Sequence, residues 1–114
     1  MTLHDFLNQL TTNPQSISFN DTMAIIAENY QYQPSEFTNG DLTSAAGINE
    51  GSCKIFAFAK SQQLNETQTL QLFGDYYRVD VLNEPNGTGH QNIRNFMQTG
   101  WAGIQFNGVA LIAN

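Results

Sequence analysis

The chain has 114 residues, a formal net charge of −6 and only four Lys and Arg. A chain of this length can bury one core without disulfides or metal ions, so we predict a single domain spanning residues 1–114. The scarcity of basic residues argues against a nucleic-acid partner, which needs several Lys and Arg facing phosphates. The same acidity disfavours binding to anionic membranes.

Cysteine content and the N-terminal segment restrict the class of protein further. Cys53 is the only cysteine, which excludes an internal disulfide and a thiolate zinc site. His90, Asp80 and Glu50 are possible metal ligands but lack a dedicated spacing, so we expect no metal and no cofactor. Residues 1–6 lack the basic start and apolar stretch of a secretory signal, and no apolar run is long enough to span a bilayer. A cytoplasmic location is the expectation.

Two capped helices are predicted in the first 34 residues. Apolar residues recur at helical spacing in both segments. Each segment opens with the pattern of a capping box, Thr2 with Asp5 and Ser18 with Asp21. Each is followed by a proline, at positions 14 and 34, which cannot sit in a helix interior. The second helix is expected to include Tyr30 in its apolar stripe.

Residues 36–51 read as a loop because Gly, Asn, Asp and Ser dominate them. One short strand is predicted at Glu36–Thr38. Its Phe-x-Asn-Gly ending resembles the Phe-Asn-Gly of the segment from Ile104 to Gly108. We therefore predict that these two short extended segments pair.

Three further helices are predicted in the second half. Residues 52–64 are apolar on nearly every side, which fits a buried strand or a buried helix. Their length and alanines favour a central helix with Ser52 as its N-cap. A second helix runs from the cap Asn65 to Pro85, and a third covers Thr88 to Gln98. The fold class predicted is mainly α: a compact domain of about five helices, with room for one short two-stranded β pairing.

The last predicted helix carries a polar pair on its apolar side. At about 100° per residue, His90 falls among Ile93, Phe96 and Met97, with Arg94 at the edge of this arc. Asp80 projects from the apolar arc of the preceding helix. An arginine at the margin of a core needs an anionic or carbonyl partner. We predict that Asp80 and Arg94 meet across the two helices, with His90 or a tyrosine hydroxyl completing the group.

This cluster has two interpretations. A buried polar network commonly fixes helix geometry, and this structural interpretation is favoured because no nucleophile is placed by spacing. Alternatively, Asp80, His90 and Arg94 could perform acid–base chemistry or bind a small ligand. A pocket open to solvent beside His90 would favour the second interpretation, and a closed, fully hydrogen-bonded network would favour the first.

Other residues are weaker candidates. Cys53 stands near a predicted helix start, where the helix dipole can lower the pKa of a thiol, but the apolar residues that follow favour a core position. Tyr76 and Tyr77 could present hydroxyls to a ligand. As neighbours on one helix they point in different directions, so at least one is expected in the core.

Several segments resemble the HopJ-type family of small bacterial proteins, named after a type III effector. The resemblance is carried by three stretches in the same order, residues 49–60, 72–82 and 89–106, and extends to residues 32–40. The family's shared segments include Asn92 and Trp101 here, which join Tyr76 and Tyr77 as candidate ligand-binding residues. The resemblance carries no catalytic residues over to this chain.

The resemblance implies no particular biochemical activity, and the effector label implies export by a type III system. The acidic composition suits a protein partner better than nucleic acid. We therefore predict a non-catalytic module that binds a protein, with no nucleic-acid or membrane partner. The alternative is an enzyme or small-ligand binder that uses His90, Arg94 and Asp80. The sequence gives no oligomeric state.

Overall fold

The structure, a computed structural model, describes residues 1–114 and contains six helices. Five are α-helices and the sixth is a π-helix. Two short 3₁₀ segments, Pro14–Ser16 and Gly100–Gly103, connect neighbouring elements. The helices are α1 (Leu3–Thr12), α2 (Phe19–Asn29), α3 (Glu50–Ser61), α4 (Glu66–Gln71), the π-helix (Tyr76–Val81) and α5 (Gln91–Thr99).

Five short strands form two antiparallel sheets. The strands are β1 (Tyr30–Tyr32), β2 (Phe37–Asn39), β3 (Leu42–Ser44), β4 (Ile104–Phe106) and β5 (Leu111–Ala113). One sheet has two strands, β1 and β5, and the other has three in the order β3-β2-β4. Phe37 lies opposite Phe106, and Tyr30 lies opposite Ala113. Both sheets therefore join the first third of the chain to its C-terminal end.

The prediction of a mainly α fold with one β pairing is wrong, because the protein is an α+β fold with two sheets. The predicted pairing of the two Phe-containing segments is present as β2 with β4. The segment predicted as a loop also contains a β-hairpin. In this hairpin, Gly40 and Asp41 form a two-residue turn between β2 and β3. Gly40 has a φ of 63°, the positive value that such turns place on a glycine.

Local capping decides where three of the helices begin. Thr2, Ser18 and Asn65 each accept a hydrogen bond from the backbone N–H three residues later, in complete capping boxes. The predicted starts of these helices are thus confirmed. The second helix, however, ends at Asn29, and Tyr30 belongs to β1 because its backbone pairs with β5.

The single helix predicted from Asn65 to Pro85 is divided at Gly74. Gly74 has a φ of +61°, and an added Cβ would lie 2.6 Å from the backbone nitrogen of Phe19. Only glycine fits a left-handed conformation at so close a contact. The chain therefore leaves α4 before this residue and winds into the π-helix after it. This π-helix is the sixth helix of the fold. Because its hydrogen bonds span five residues rather than four, Asp80 points in a different direction from the one expected for an α-helix.

Two helices begin without a side-chain cap. Asn49 before α3 and His90 before α5 both adopt the left-handed conformation, with φ values of 54° and 56°. Ser52, predicted as the N-cap, is instead the third residue of α3. His90, predicted inside a helix, instead precedes it. Such φ values are uncommon for residues other than glycine.

The core surrounds α3, which resolves the ambiguity between helix and strand for residues 52–60 in favour of a helix. Phe56 is fully buried, and its ring contacts those of Phe37, Phe73 and Phe96. These aromatic contacts connect α3 to the larger sheet, to the turn after α4 and to α5. None of the helices has the length and apolar character needed to cross a membrane.

Candidate functional site

His90 and Asp80 are in direct contact. The imidazole Nε2 of His90 lies 3.0 Å from Asp80 Oδ2, and the two side chains are 35 % and 49 % exposed. The pair therefore lies at the surface and not in the core. A carboxylate on one ring nitrogen fixes the orientation of the imidazole and leaves Nδ1 as the free atom. No other side chain hydrogen-bonds to the ring.

Arg94 does not meet Asp80, contrary to the prediction. Its Nε donates to the carbonyl oxygen of Gly89 at 2.6 Å, and Nη1 donates to the carbonyl of Glu84 at 2.7 Å. The guanidinium therefore connects the two ends of the loop that joins the π-helix to α5. Carbonyl groups are sufficient partners because Arg94 is only partly buried.

A cavity of about 460 Å³ lies between the N-terminal ends of α3 and α5, and it is open to solvent. We call it the helix-start pocket. It is lined by ten residues: Phe19, Asn49, Gly51, Ser52, Phe73, Tyr76, His90, Gln91, Asn92 and Ile93. A shallower cavity of about 580 Å³, lined by both Asp80 and Arg94, lies on the other side of His90. His90 thus separates the two.

Unpaired backbone donors line the helix-start pocket. The N–H groups of Gly51 and Ser52 in the first turn of α3, and of Gln91 and Asn92 in that of α5, have no acceptor in the protein. Every α-helix leaves its first N–H groups without helical partners. At α1, α2 and α4 the capping boxes satisfy one of them, but neither α3 nor α5 has a side-chain cap.

Asn92 adds a side-chain donor. Its backbone carbonyl accepts a hydrogen bond from Asn39 Nδ2 at 2.8 Å, which fixes the orientation of the Asn39 amide because a carbonyl can only accept. The same Nδ2 lies 3.0 Å from Asn92 Oδ1. Asn92 Nδ2 is then the remaining polar atom of that side chain, and it has no partner. Since Asn92 is only 6 % exposed and lines the pocket, this nitrogen faces the pocket.

One wall of the pocket is apolar and aromatic. The ring of Tyr76 lies between those of Phe19 and His90, with centroid distances of 5.0 and 5.1 Å. Phe73 and Ile93 extend this wall. None of the ten lining residues is Asp, Glu, Lys or Arg. The pocket combines an aromatic side with a cluster of neutral donors.

The remaining candidates lie elsewhere. Tyr77 packs against the core, and the indole Nε1 of Trp101 donates to the carbonyl of Leu64 at 3.0 Å. Burial raises the pKa of the Cys53 thiol. A thiol that keeps its proton is a poor nucleophile. No group of three or more His, Cys, Asp or Glu side chains is placed to bind a metal.

Seven of the ten lining residues were not among the predicted site residues, and three of these seven supply backbone donors. Gly51, Ser52 and Gln91 matter through their backbone N–H groups, which no residue type except proline lacks. A composition or motif search therefore gives no signal for them. These residues are identified only by geometry, because the N-terminal ends of two helices without side-chain caps lie beside the same cavity.

Two of three comparisons with known proteins give a match. The profile of the family described as "HopJ type III effector protein" matches residues 3–111. The chain is also similar to a solved structure described as the crystal structure of a protein of unknown function, VPA0580. The two are 51 % identical, with a TM-score of 0.98 over 100 % of this chain and 95 % of the other. A comparison with curated proteins gives no match.

Proposed function

The chain belongs to the HopJ type III effector protein family, and we propose that its molecular role is to bind a small molecule in the helix-start pocket. The alternative that the sequence left open was a ligand bound by His90, Arg94 and Asp80. Of these three residues only His90 lines the pocket, so the proposed ligand site differs from that prediction. The cavity beside His90 is open to solvent and about 460 Å³ in volume. That volume falls in the range of small-molecule sites, roughly 300–1,000 Å³.

The proposal depends on one observation, that several hydrogen-bond donors in the pocket have no acceptor in the protein. Asn92 Nδ2 and four backbone N–H groups face or line the cavity without an acceptor in the protein. Because the cavity is open, these donors are accessible to water in the free protein and can exchange it for a ligand without breaking a hydrogen bond within the protein. A bound ligand would supply the missing acceptors.

Binding is proposed rather than catalysis. The His90 ring has Asp80 as its one hydrogen-bond partner, and no hydroxyl or thiol is bonded to it as an activated nucleophile would be. The contact with Asp80 fixes the orientation of the imidazole ring, and a residue that binds a ligand needs a fixed orientation as much as a catalytic residue does.

The test is a fragment screen followed by two-dimensional ¹H–¹⁵N NMR, with neutral, anionic and cationic fragments. We expect hits whose amide shifts concentrate at residues 49–52 and 90–93. Ser52→Tyr, which fills the pocket, should abolish these hits. Ser61→Tyr, at the exposed opposite end of α3, should retain them. Hits that are equal in both variants, or shifts away from the pocket, would refute the proposal.

A protein partner is the second candidate, supported by exposed apolar side chains near the other end of α5. Leu82 and Met97 are 48 % and 46 % exposed and line one cavity of about 270 Å³. Apolar clusters at a surface commonly mark interaction sites. A photo-crosslinking amino acid at position 97 should give a discrete protein adduct in cells, whereas one at exposed His4 should not. Equal patterns at both positions would count against this surface.

Export by a type III system is proposed from the family's description. A reporter fused to the chain should reach the medium of bacteria with an intact type III apparatus, and should stay in the cells of a strain without it. Retention in both strains would favour the cytoplasmic location.

A further inference from the structure

We infer that the ligand of the helix-start pocket is a phosphate monoester whose ester group is flat and apolar. The inference rests on the proposed function and names the ligand class. It is carried by the convergence of donors on one cavity, by the inward-facing amide of Asn92 and by the aromatic wall.

The two helix starts provide a favourable field for an anion. The N-terminus of an α-helix carries roughly half a positive charge and directs unpaired N–H groups outward. α3 has 12 residues and α5 has nine, and the first turns of both line the same cavity. Two such ends at one cavity act together on a single anionic group, which neither would do as strongly alone.

Asn92 is an independent indication of an acceptor-rich ligand. Its side chain is almost fully buried, its Oδ1 is occupied by Asn39, and only its Nδ2 donor is directed into the pocket. The Ser52 hydroxyl makes no hydrogen bond in the protein and lines the same cavity. Together with the backbone N–H groups, these donors exceed what the two oxygens of a carboxylate can accept. They suit the three terminal oxygens of a phosphate monoester.

Charge is distributed so that an anion can enter. The protein has a net charge of −6, yet no carboxylate lines the pocket. Asp80 approaches His90 and lines the neighbouring cavity, and Glu50, at the first position of α3, is not a lining residue. Keeping carboxylates out of the lining of this pocket reduces the repulsion that an anionic ligand would otherwise meet in so acidic a protein.

The size and the aromatic wall indicate the rest of the ligand. A cavity of about 460 Å³ corresponds to roughly 15 waters at their liquid volume of about 30 Å³ each, far more than one phosphate group fills. Tyr76, Phe19 and Phe73 present aromatic rings to the remaining space. Aromatic faces favour flat apolar partners, by stacked or edge-to-face contacts.

The experiment is an NMR titration of the ¹⁵N-labelled protein with inorganic phosphate, phenyl phosphate and benzoate. We expect saturable shifts of the amides of Gly51, Ser52, Gln91 and Asn92 and of the Asn92 side-chain NH₂. Phenyl phosphate should bind on the order of tenfold more tightly than inorganic phosphate, because of the ring contacts. Benzoate, with the same ring and two oxygens, should bind more weakly than phenyl phosphate.

Two variants place a carboxylate where the phosphate would lie. Asn92→Asp keeps the oxygen that accepts from Asn39 but replaces the NH₂ donor by a negative charge. Ser52→Asp puts an acid in the first turn of α3, where it favours folding. Both should weaken phenyl phosphate binding more than tenfold, and Ser52→Asp should melt no lower than the parent. Gln98→Glu adds the same charge near the other end of α5, outside the pocket, and should bind like the parent.

The outcomes separate this inference from the proposed function. If neutral ring fragments bind in the pocket and are lost in Ser52→Tyr, but phenyl phosphate does not bind, the ligand class is wrong and the pocket remains a binding site. If benzoate binds as tightly as phenyl phosphate, the phosphate assignment is also wrong. Phosphate shifts that persist in both Asp variants would overturn the site. If no fragment binds, both proposals fail.

Discussion

Two arginines bind backbone carbonyl groups and no carboxylate. Arg78 reaches the carbonyls of Pro14, Ile17 and Gln71 and the side-chain oxygen of Gln71. Arg94 binds two carbonyls of its own loop. Arg78 follows the break at Gly74 and faces the 3₁₀ segment after α1. Arg78 thus joins three separate stretches of chain, which residue spacing alone cannot show.

Replacing Arg78 by Lys should destabilise the protein by about 2 kcal/mol, because a lysine cannot satisfy several carbonyls from one planar group. Arg94→Lys should cost less, about 1 kcal/mol or below, since fewer and more exposed carbonyls are involved. Urea unfolding of both variants beside the parent measures the difference. Equal losses would show that the additional, partly buried contacts of Arg78 contribute little.

The contact between Asp80 and His90 should contribute little to stability. Both side chains are more than a third exposed, and even a fully charged pair at such a site is worth only roughly 0–1 kcal/mol. We therefore expect Asp80→Asn to change the melting temperature by no more than a few degrees. A steep fall, as the buried network predicted from the sequence would give, would contradict the exposed placement.

Tyr32 provides a pH dependence with a defined sign. Burial, reinforced by the neighbouring Cys53 and Glu50, raises the pKa of Tyr32 to about 12 from its ordinary value of 10.0. The folded state then holds the phenolic proton more tightly than the unfolded state does. This contribution to stability is complete below about pH 10 and is lost as the pH rises toward 12.

Tyr32→Phe should therefore flatten the loss of stability between pH 10 and 12. The Tyr32 hydroxyl is buried without a hydrogen-bond partner, so its removal should cost little at pH 7. Urea unfolding at pH 8, 10 and 11 measures this, and the tyrosinate absorbance of the parent should show one late titration that the variant lacks. An unchanged late titration would assign the raised pKa to another tyrosine.

At the scale of elements, Gly74 determines how the second half of the chain is divided. Gly74→Ala should destabilise the protein by more than about 2 kcal/mol, because the added Cβ would lie 2.6 Å from the Phe19 nitrogen at a positive φ. Gly47→Ala is the matched control, with a φ of +87° but its nearest atom 3.8 Å away. It should cost about 1–2 kcal/mol, the strain of the backbone alone. Chemical unfolding of the two variants separates contact from strain.

Helix starts were predictable where the signal is local. The capping boxes at Thr2, Ser18 and Asn65 are sequence patterns of four residues, and each marks a true helix start. The strands were largely missed because each has three residues, too few for a period-two pattern to emerge. Tyr30 shows the ambiguity, since one position suits both the end of a helical stripe and a strand. Its pairing with β5, far along the chain, decides the outcome.

For the molecule as a whole, the two sheets indicate one cooperative unit. β1 and β2 pair with β5 and β4, so residues 30–39 are bound to residues 104–113. We predict a single unfolding transition in which far-ultraviolet circular dichroism and Trp101 fluorescence coincide. Transitions separated by more than about 0.3 M urea would contradict the single domain predicted from length.

The candidate site was only partly predictable, for a reason of scale. His90, Tyr76 and Asn92 were identified from the sequence and line the pocket together, and Asp80 contacts His90. Tyr77, Trp101 and Arg94 lie outside it. The missing component is the start of α3, which lies some 40 residues before His90 and carries no side-chain motif. Charge counting was also uninformative here, because backbone donors add no formal charge.

The two uncapped helix starts also bear on how this pocket would respond to mutation. Their donors are peptide groups, which persist through every substitution that leaves the helices in place, proline excepted. Most single changes at Gln91 or Ser52 would therefore retain the donor and alter only the surroundings. Sequences could drift widely at these positions while the same ligand chemistry is preserved. The residues under the tightest constraint would be Asn92, whose side chain is itself a donor, and those that hold the helix ends in place, such as Gly74 and Asn39.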